Sequence, residues 1–537
     1  MRKEDQERAV VEVVSRVVEE VRVGAQSGGR SVEEIAADVL YTERQRLEAA
    51  PPSRDAKEAR GYYREAGKRL LRSSATEQLE LVREMAGRFA QEVVGHFNPA
   101  VYELSTKLLP VAAGILVNAV SPLSLLSRLP QLPNLGEQVE VRGAVDTLRG
   151  LVRQGTVILA PTHQSHMDSI VLGCALYQLG LPPFTYGAGL NLFTNPLLSF
   201  FMRNLGAYRV DRKKKSWLYK AVLKEYATVS LEYGYHNLFF PGGTRSRSGA
   251  VERKLKLGLL GAGLRAFVNN LRRGAEKPRV FVVPCTLSYG LVLEAQTLIE
   301  DYLQEAGKSR YIIEDDEFSQ PRRIFNFVRG LISLDSKIVL NVSEPLDPFG
   351  HHVLPDGTSV DERGNAVDIA AKVFVGGRPD HDAKRDEETT RQLGQAVVRA
   401  LCRDATFLST QLLAFAVFGL LRARALDRDL FRFLRTAQEL GGVPLDEVYP
   451  ALERLKIGLA ERTVEGALGA DATPLGFEPE STVPDGLRYF GTYHAEPVLA
   501  RRGDRLFPGE LPLLYYYRNR LDGLGLERSV DPRLDGV

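Results

Sequence analysis

A chain of 537 residues is too long for a single hydrophobic core and implies about three or four structural units. Its 44% hydrophobic and 26% charged residues are those of a globular protein, which excludes a disordered or fibrous chain, and a net charge of +2 offers no argument for a nucleic-acid partner. Cys174, Cys285 and Cys402 show no paired spacing and are expected to be reduced cytosolic thiols, and Met1-Arg2-Lys3-Glu4-Asp5 leads into no apolar core, so no secretory signal is expected.

Residues 1–138 are expected to be helical. The pairs Val10-Val11, Val13-Val14 and Val17-Val18 make an apolar stripe, Pro51-Pro52-Ser53 interrupts it, and Tyr62-Tyr63 opens a second charged amphipathic stretch. Residues 108–127 carry no charge and have the length of a transmembrane span, but Pro110, Asn118, Ser121 and Pro122 break them; the chargeless run 169–202 is broken by Pro182-Pro183 and several glycines. Both runs are expected to form buried helices or surfaces that touch a bilayer without crossing it. Over 139–352 short apolar runs alternate with helical patterns, which predicts an α/β domain. Its strands are expected at 156–161, 237–241, 278–284 and 338–342, with helices at 169–179, 214–232 and 255–272. The Gly- and Asp-rich stretch 353–390 reads as a polar loop or irregular segment, and 391–537 as a mainly helical C-terminal region whose residues 405–421 are uncharged. The fold class is therefore α/β, a central domain flanked by helical N- and C-terminal regions.

The chemistry is concentrated in His163-Gln164-Ser165-His166-Met167-Asp168, which lies between a predicted strand and a predicted helix. A histidine held in one tautomer by a carboxylate can take a proton from an alcohol, and the carboxylate then stabilises the imidazolium. No protein nucleophile accompanies the pair, so the nucleophile is expected to be a hydroxyl of the substrate. Ser165-x-x-Asp168 also fits a helix capping box, a role compatible with the first because a capping carboxylate is held still. Further on, Phe239-Phe240-Pro241-Gly242-Gly243-Thr244-Arg245-Ser246-Arg247-Ser248-Gly249 puts glycines, hydroxyls and two arginines in one loop, as an anion site requires, although such turns also occur on solvated surfaces. It lacks the Gly-Lys-Ser/Thr of a P-loop. Gly206-Ala207-Tyr208-Arg209-Val210-Asp211-Arg212 runs into Lys213-Lys214-Lys215 just before a helix, where cations oppose the helix dipole. A phosphorylated ligand or an anionic membrane would give that patch a purpose.

In this order the blocks resemble those of the glycerolipid acyltransferases. His163 and Asp168 match the family's His-x-x-x-x-Asp, and Gly206 and Arg212 match Gly-x-x-x-Ile-x-Arg with Val210 for Ile. Phe240, Pro241, Gly243, Thr244, Arg245, Ser246 and Arg247 match Phe-Pro-Glu-Gly-Thr-Arg-Ser-Arg with Gly242 in place of Glu, and Val283-Pro284 matches a Val/Ile-Pro before a strand end. Ala188-Gly189-Leu190-Asn191-Leu192 and Tyr516-Tyr517-Arg518-Asn519 resemble segments of the glycerol 3-phosphate and dihydroxyacetone phosphate branch. The resemblance implies transfer of a long acyl chain from acyl-CoA or acyl carrier protein to the 1-hydroxyl of glycerol 3-phosphate, with no cofactor beyond that donor and no metal. It implies His163 as base, Asp168 as its orienter, and Arg212, Gly243, Thr244, Arg245, Ser246 and Arg247 as the acceptor-binding residues. The run 169–202 would wall the acyl chain, and the protein would be cytoplasmic, attached peripherally to the inner face of the membrane. The alternatives are a dihydroxyacetone-phosphate or lysophosphatidate acyltransferase and a membrane-associated scaffold without turnover, for which Gly242 is the warning sign. A metal-dependent hydrolase is a further rival, because His163-x-x-His166-x-Asp168 superficially resembles a metal motif, but its spacing is one residue too long and Ser169 stands where another histidine is needed.

Overall fold

The computed structural model describes residues 1–103, 138–190, 196–306, 338–425, 429–436, 441–472, 477–491, 494 and 497–534. At its centre is a seven-stranded mixed sheet: β1 (Val139–Gly143), β2 (Thr156–Pro161), β3 (Thr185–Gly189), β4 (Ala207–Val210), β5 (Asn237–Leu238), β6 (Val280–Tyr289) and β7 (Ile338–Val342). They lie side by side in the order β1-β7-β6-β2-β5-β3-β4. The five strands from β6 to β4 are mutually parallel, β7 runs against β6, and β1 runs parallel to β7. Every residue of β2 and β6 is buried, as expected of central strands read from continuous apolar runs. Pro284 sits within β6 between a bridge from Val282 to Leu346 and the start of pairing with β7 at Cys285. The ladder changes partner there, where a residue without an N–H is tolerated.

All four predicted strands and all three predicted helices of this domain have counterparts, 156–161 and 338–342 with the expected ends and the others with revised ones. β5 stops at Leu238 rather than 241, because Pro241 and two glycines turn the chain away, whereas β6 runs on past 284 to Tyr289 by pairing antiparallel with β7. The strands β1, β3 and β4 were not expected: β3, Thr-Tyr-Gly-Ala-Gly, has too many glycines to read as a strand, yet it pairs with β4 over four residue pairs. A helix predicted from 214 begins at Trp217, where the Ser216 side chain caps it by accepting from the Tyr219 N–H.

The N-terminal helices Lys3–Gln26, Val32–Glu48 and Ala75–Val93 pack on helix Trp217–Glu232, and helix Arg54–Leu70 packs on Val32–Glu48 and Ala75–Val93. Val10, Val13, Val17 and Val21 lie on the inner face of the first helix against Leu218, Val222, Tyr226 and Val229, while Val11 points outwards and is 70% exposed. Arg16 fixes the register, meeting the buried Glu225 at 3.0 Å and Glu232 at 2.7 Å. On the other side of the domain, the expected polar loop 353–390 holds two small hairpins, His352–Val353 with Ser359–Val360 and Phe374–Val375 with Arg378–Pro379. Its end is helical instead: helix Ala383–Arg403 starts well before 391, capped by Asp382, whose carboxylate accepts from Arg385 N–H. A charge-rich first turn conceals the buried stripe Thr389, Leu393, Ala396, Val397 that makes it amphipathic.

The C-terminal region is a helical bundle around helix Ser409–Arg424, buried along residues 410–421 by helices Leu445–Val464, Pro479–Phe490 and Leu511–Arg518. This placement accounts for its lack of charge. A small antiparallel sheet (Val443–Pro444, Leu499–Arg502, Arg505–Pro508) joins the bundle. Among the described residues no helix is long and apolar enough to cross a membrane. The run 169–202 is divided among helix Asp168–Gln178, β3 and helix Pro196–Asn204. The run 108–127 and the pair Asn191-Leu192 lie outside the described residues.

Candidate active site

The loops that carry the motifs all leave the carboxyl ends of parallel strands: His163 follows β2, Arg212 follows β4, and the segment 239–249 follows β5. Because β5 lies between β2 and β3, and β4 next to β3, sheet order gathers stretches that are distant in sequence.

His163 is held on four sides. Its Nδ1 is 2.8 Å from Asp168 Oδ2, its ring stacks on Phe240 with centroids 3.9 Å apart, its N–H donates to Glu252 Oε1 at 2.6 Å, and its carbonyl accepts from Ser246 N–H at 2.7 Å. Asp168 is fully buried and fully used. Oδ2 also accepts the N–H groups of Gln164 (2.7 Å) and Ser165 (3.0 Å), and Oδ1 accepts the hydroxyl of Tyr289 at 2.6 Å. The carboxylate half of the expected capping box is therefore present, since Asp168 answers turn amides. The hydroxyl half is not: Ser165 Oγ donates to Glu294 Oε2 at 2.7 Å and accepts from Met167 N–H at 3.1 Å. With Nδ1 facing a carboxylate, Nδ1 carries the proton and Nε2 is the basic nitrogen. Burial pushes the imidazole pKa below its usual 6.5, and Arg245 and Arg212 push the same way while Asp168 opposes them, so His163 is neutral and able to accept a proton near pH 7.

Of the loop residues expected to bind the acceptor, Arg212 and Arg245 are the ones whose charges face His163, and they also face each other. Arg212 is exposed and has no hydrogen bond or carboxylate partner among the described residues. Arg245 Nη1 lies 3.3 Å from Glu294 Oε1. Two adjacent cations beside a neutral base form a place where an anion is stabilised. The others are placed differently. Gly243 adopts φ +79°, which suits glycine, and its N–H closes a turn onto Phe240 O; the Ser246 hydroxyl donates to Ala250 O; Thr244 is exposed; and Arg247 pairs at 2.5 Å with the exposed Glu305. These four shape or flank the loop. The basic patch is divided too: Lys214 is buried and bonded to Glu92 at 2.5 Å, with its ammonium over the Phe89 ring, so it ties in the N-terminal helices and is not presented to a ligand or membrane.

Four residues at the site were not foreseen. Tyr289 and Glu294 follow from the unexpected length of β6. Glu294 is fully buried, its pKa raised by burial, and it joins Ser165, the His166 N–H and Arg245. A lone acid after the apolar Leu291-Val292-Leu293 was the available signal. Glu252 and Arg520 lie in segments without a motif. Arg520 is 3% exposed and donates to Leu287 O at 2.9 Å, and Gln164, with its amide oxygen turned towards it, accepts from Nη2 at 3.2 Å. Arg520 belongs to a C-terminal segment fastened to the loop: Asn519 Nδ2 donates to Ser248 O at 2.9 Å, and Gly249, at φ +83°, packs so tightly on Tyr516 O that a Cβ would collide with it.

A mixed sheet with a histidine and carboxylate at the end of its second strand, and two arginines facing the histidine, defines an acyltransferase-type domain. The family model described as Acyltransferase matches residues 138–288. Glycerol-3-phosphate acyltransferases are similar over a longer stretch: that of Ectopseudomonas mendocina is 30% identical over 293 residues, 54% of this chain and 32% of its own. That of Pseudomonas fluorescens (strain SBW25) is 32% identical over 284 residues, 52% and 30% of the two chains, and that of Aeromonas hydrophila 32% over 223 residues, 40% and 26%. The central domain is thus an acyltransferase domain similar to that of the glycerolipid acyltransferases, and the matched part of the chain spans about a third or less of the length of these curated relatives.

Proposed function

We propose that the protein transfers a long-chain acyl group from acyl-CoA or acyl carrier protein to the 1-hydroxyl of glycerol 3-phosphate, the first step of glycerophospholipid synthesis. The observation that carries this reading is the neutral His163, oriented by a fully bonded Asp168, with the Arg212 and Arg245 cations beside it. The acceptor phosphate rests against the arginines, which brings its hydroxyl to Nε2 of His163. As the hydroxyl oxygen attacks the thioester carbonyl, His163 takes its proton and Asp168 stabilises the imidazolium. The tetrahedral intermediate then collapses: the carbon–sulfur bond breaks, and the thiolate leaves with the proton returned from His163. Of the apolar residues 169–202, Leu190 after β3 and Phe200 in helix Pro196–Asn204 remain 41% and 47% exposed. They are surface for an acyl chain or bilayer to cover, in keeping with peripheral attachment to the inner face of the membrane.

Thiol release from palmitoyl-CoA, measured with glycerol 3-phosphate, dihydroxyacetone phosphate, lysophosphatidate and glycerol, tests the proposal. Glycerol 3-phosphate is expected to be the best acceptor and glycerol a poor one. Thiol release with none of them, or equal use of glycerol and glycerol 3-phosphate, refutes it.

A further inference from the structure

Gly242 occupies the third position of the block Phe-Pro-Glu-Gly-Thr-Arg-Ser-Arg, where the family pattern has a carboxylate. The space a side chain at 242 would use is not empty. A Cβ built on Gly242 would lie 2.9 Å from Glu252 Cγ and 3.6 Å from its Oε1, while the Gly242 backbone is outside the left-handed region and so would accept any L-residue. What keeps position 242 bare is thus the Glu252 side chain.

We propose that Glu252 supplies, from further along the same loop, the carboxylate that position 242 lacks, and acts as the positioning residue for His163. The inference rests on the reading of His163 as the base. Glu252 Oε1 accepts the N–H of His163 at 2.6 Å, just after the strand end, while Ser246 holds the His163 carbonyl from the opposite direction. Together with Asp168 on Nδ1 and Phe240 on the ring face, these bonds leave Nε2 as the one polar atom of His163 without a partner among the described residues. The second oxygen, Oε2, is closed off from solvent and has no hydrogen-bond partner among the described residues. A buried carboxylate in that state is costly unless a charge balances it or its position is needed for something else. The buried Arg520 gives part of the balance, and burial still pushes Glu252 up to about 7. Glu252 therefore loses its proton near neutrality, and the ionised form is the stronger acceptor for the His163 N–H. A chain that has moved this carboxylate keeps the function of the block while departing from its spelling, which answers the warning sign that Gly242 raises.

Reciprocal exchange tests the proposal, with Glu252→Gly, Gly242→Glu, the double variant Gly242→Glu/Glu252→Gly and the shape-conserving Glu252→Gln. Two readouts are needed: kcat and KM for thiol release, and the imidazole nitrogen shifts of His163 by NMR in labelled protein. Glu252→Gly is expected to lower kcat at least about tenfold, the scale of one lost charge-assisted hydrogen bond, with the KM for glycerol 3-phosphate little changed. Gly242→Glu alone is expected to be impaired as well, because two side chains then compete for one volume. The double variant is expected to recover most of the turnover and the parent His163 shifts, and Glu252→Gln to retain activity while losing the part of the pH profile that Glu252 contributes near pH 7. Parent kcat in folded Glu252→Gly, or a double variant no better than the worse single one, overturns the inference. A parent without thiol release on any acceptor, in which the His163 shifts still move in Glu252→Gly and return in the double variant, removes the acyl-transfer reading and leaves the placement of His163 by Glu252 standing.

Discussion

Replacing Asp168 by Asn changes one atom and separates charge from geometry. In the parent, Oδ2 accepts from His163, Gln164 and Ser165, and Oδ1 accepts from Tyr289. The amide oxygen can take the Oδ2 position because three donors point there, and the amide NH2 then faces Tyr289, whose hydroxyl turns to accept. The fold and the histidine tautomer survive, and what disappears is the negative charge 2.8 Å from Nδ1. A unit charge pair about 4 Å apart is worth about 4 kcal/mol in a partly polar interior, and the step from a charged to a neutral hydrogen bond alone about 1 to 2 kcal/mol. A barrier raised by about 2 to 4 kcal/mol lowers kcat roughly thirty- to a thousandfold. A second signature follows, because Asp168 is the group that raises the His163 pKa against burial. Without its charge, the acid limb of kcat/KM moves further below 6.5. Thiol-release kinetics from pH 5 to 9, with a melting curve as the folding control, provide both numbers. Turnover within about threefold of the parent, or an acid limb that moves up, would refute the assignment of His163 as a base sustained by Asp168.

Tyr289→Phe deprives Asp168 Oδ1 of its donor, and about 1 to 3 kcal/mol of stability and about tenfold in kcat are expected to go with it; an unchanged melting curve argues against that bond. Arg212→Ala is expected to raise the KM for glycerol 3-phosphate by roughly one to two orders of magnitude and to leave that for acyl-CoA nearly unchanged, whereas Arg247→Ala, which loses only an exposed pair with Glu305, has a small effect. Equal effects of the two would misplace the phosphate. Glu252, raised from 4.5 to about 7, binds its proton more tightly in the folded state, so its contribution to stability falls as pH rises from 4.5 through 7. Glu252→Gln is therefore expected to gain on the parent by at most about 3 kcal/mol between pH 5 and 8 in urea unfolding, and a pH-independent gap contradicts this. On anionic vesicles, high salt or carbonate is expected to release at least part of the protein, and release by detergent alone would show that the attachment is integral.

The base and its carboxylate were legible because both belong to one strand-to-helix turn, where local spacing determines geometry. The two arginines of the loop were not distinguishable in sequence: Arg245 and Arg247 differ in which buried or exposed acid they meet, Glu294 or Glu305, and both acids come from beyond the next strand. Lys214 looked like part of a surface patch because its partners, Glu92 and Glu43, lie in the N-terminal helices. Of the fold, long apolar strands and amphipathic helices were readable from periodicity. β3 and β4 were not, since glycines and a length of only a few residues leave pairing across the sheet, a tertiary effect, to make them strands. Glu252 and Arg520 carried no local signal at all.

The bond from Asn519 to Ser248 spans 271 residues, and that from Arg520 to Leu287 spans 233. During synthesis the strands and the histidine turn leave the ribosome long before the segment that braces the loop over them. Until residues 516–520 emerge, the loop lacks the Tyr516 backbone against Gly249, the clamp on the Ser248 carbonyl and the Arg520 counter-charge to Glu252. Contacts this distant in sequence form late. Competence is thereby deferred until residues 516–520 have been made, so that a polypeptide stalled or cut short before them holds a loop without its brace.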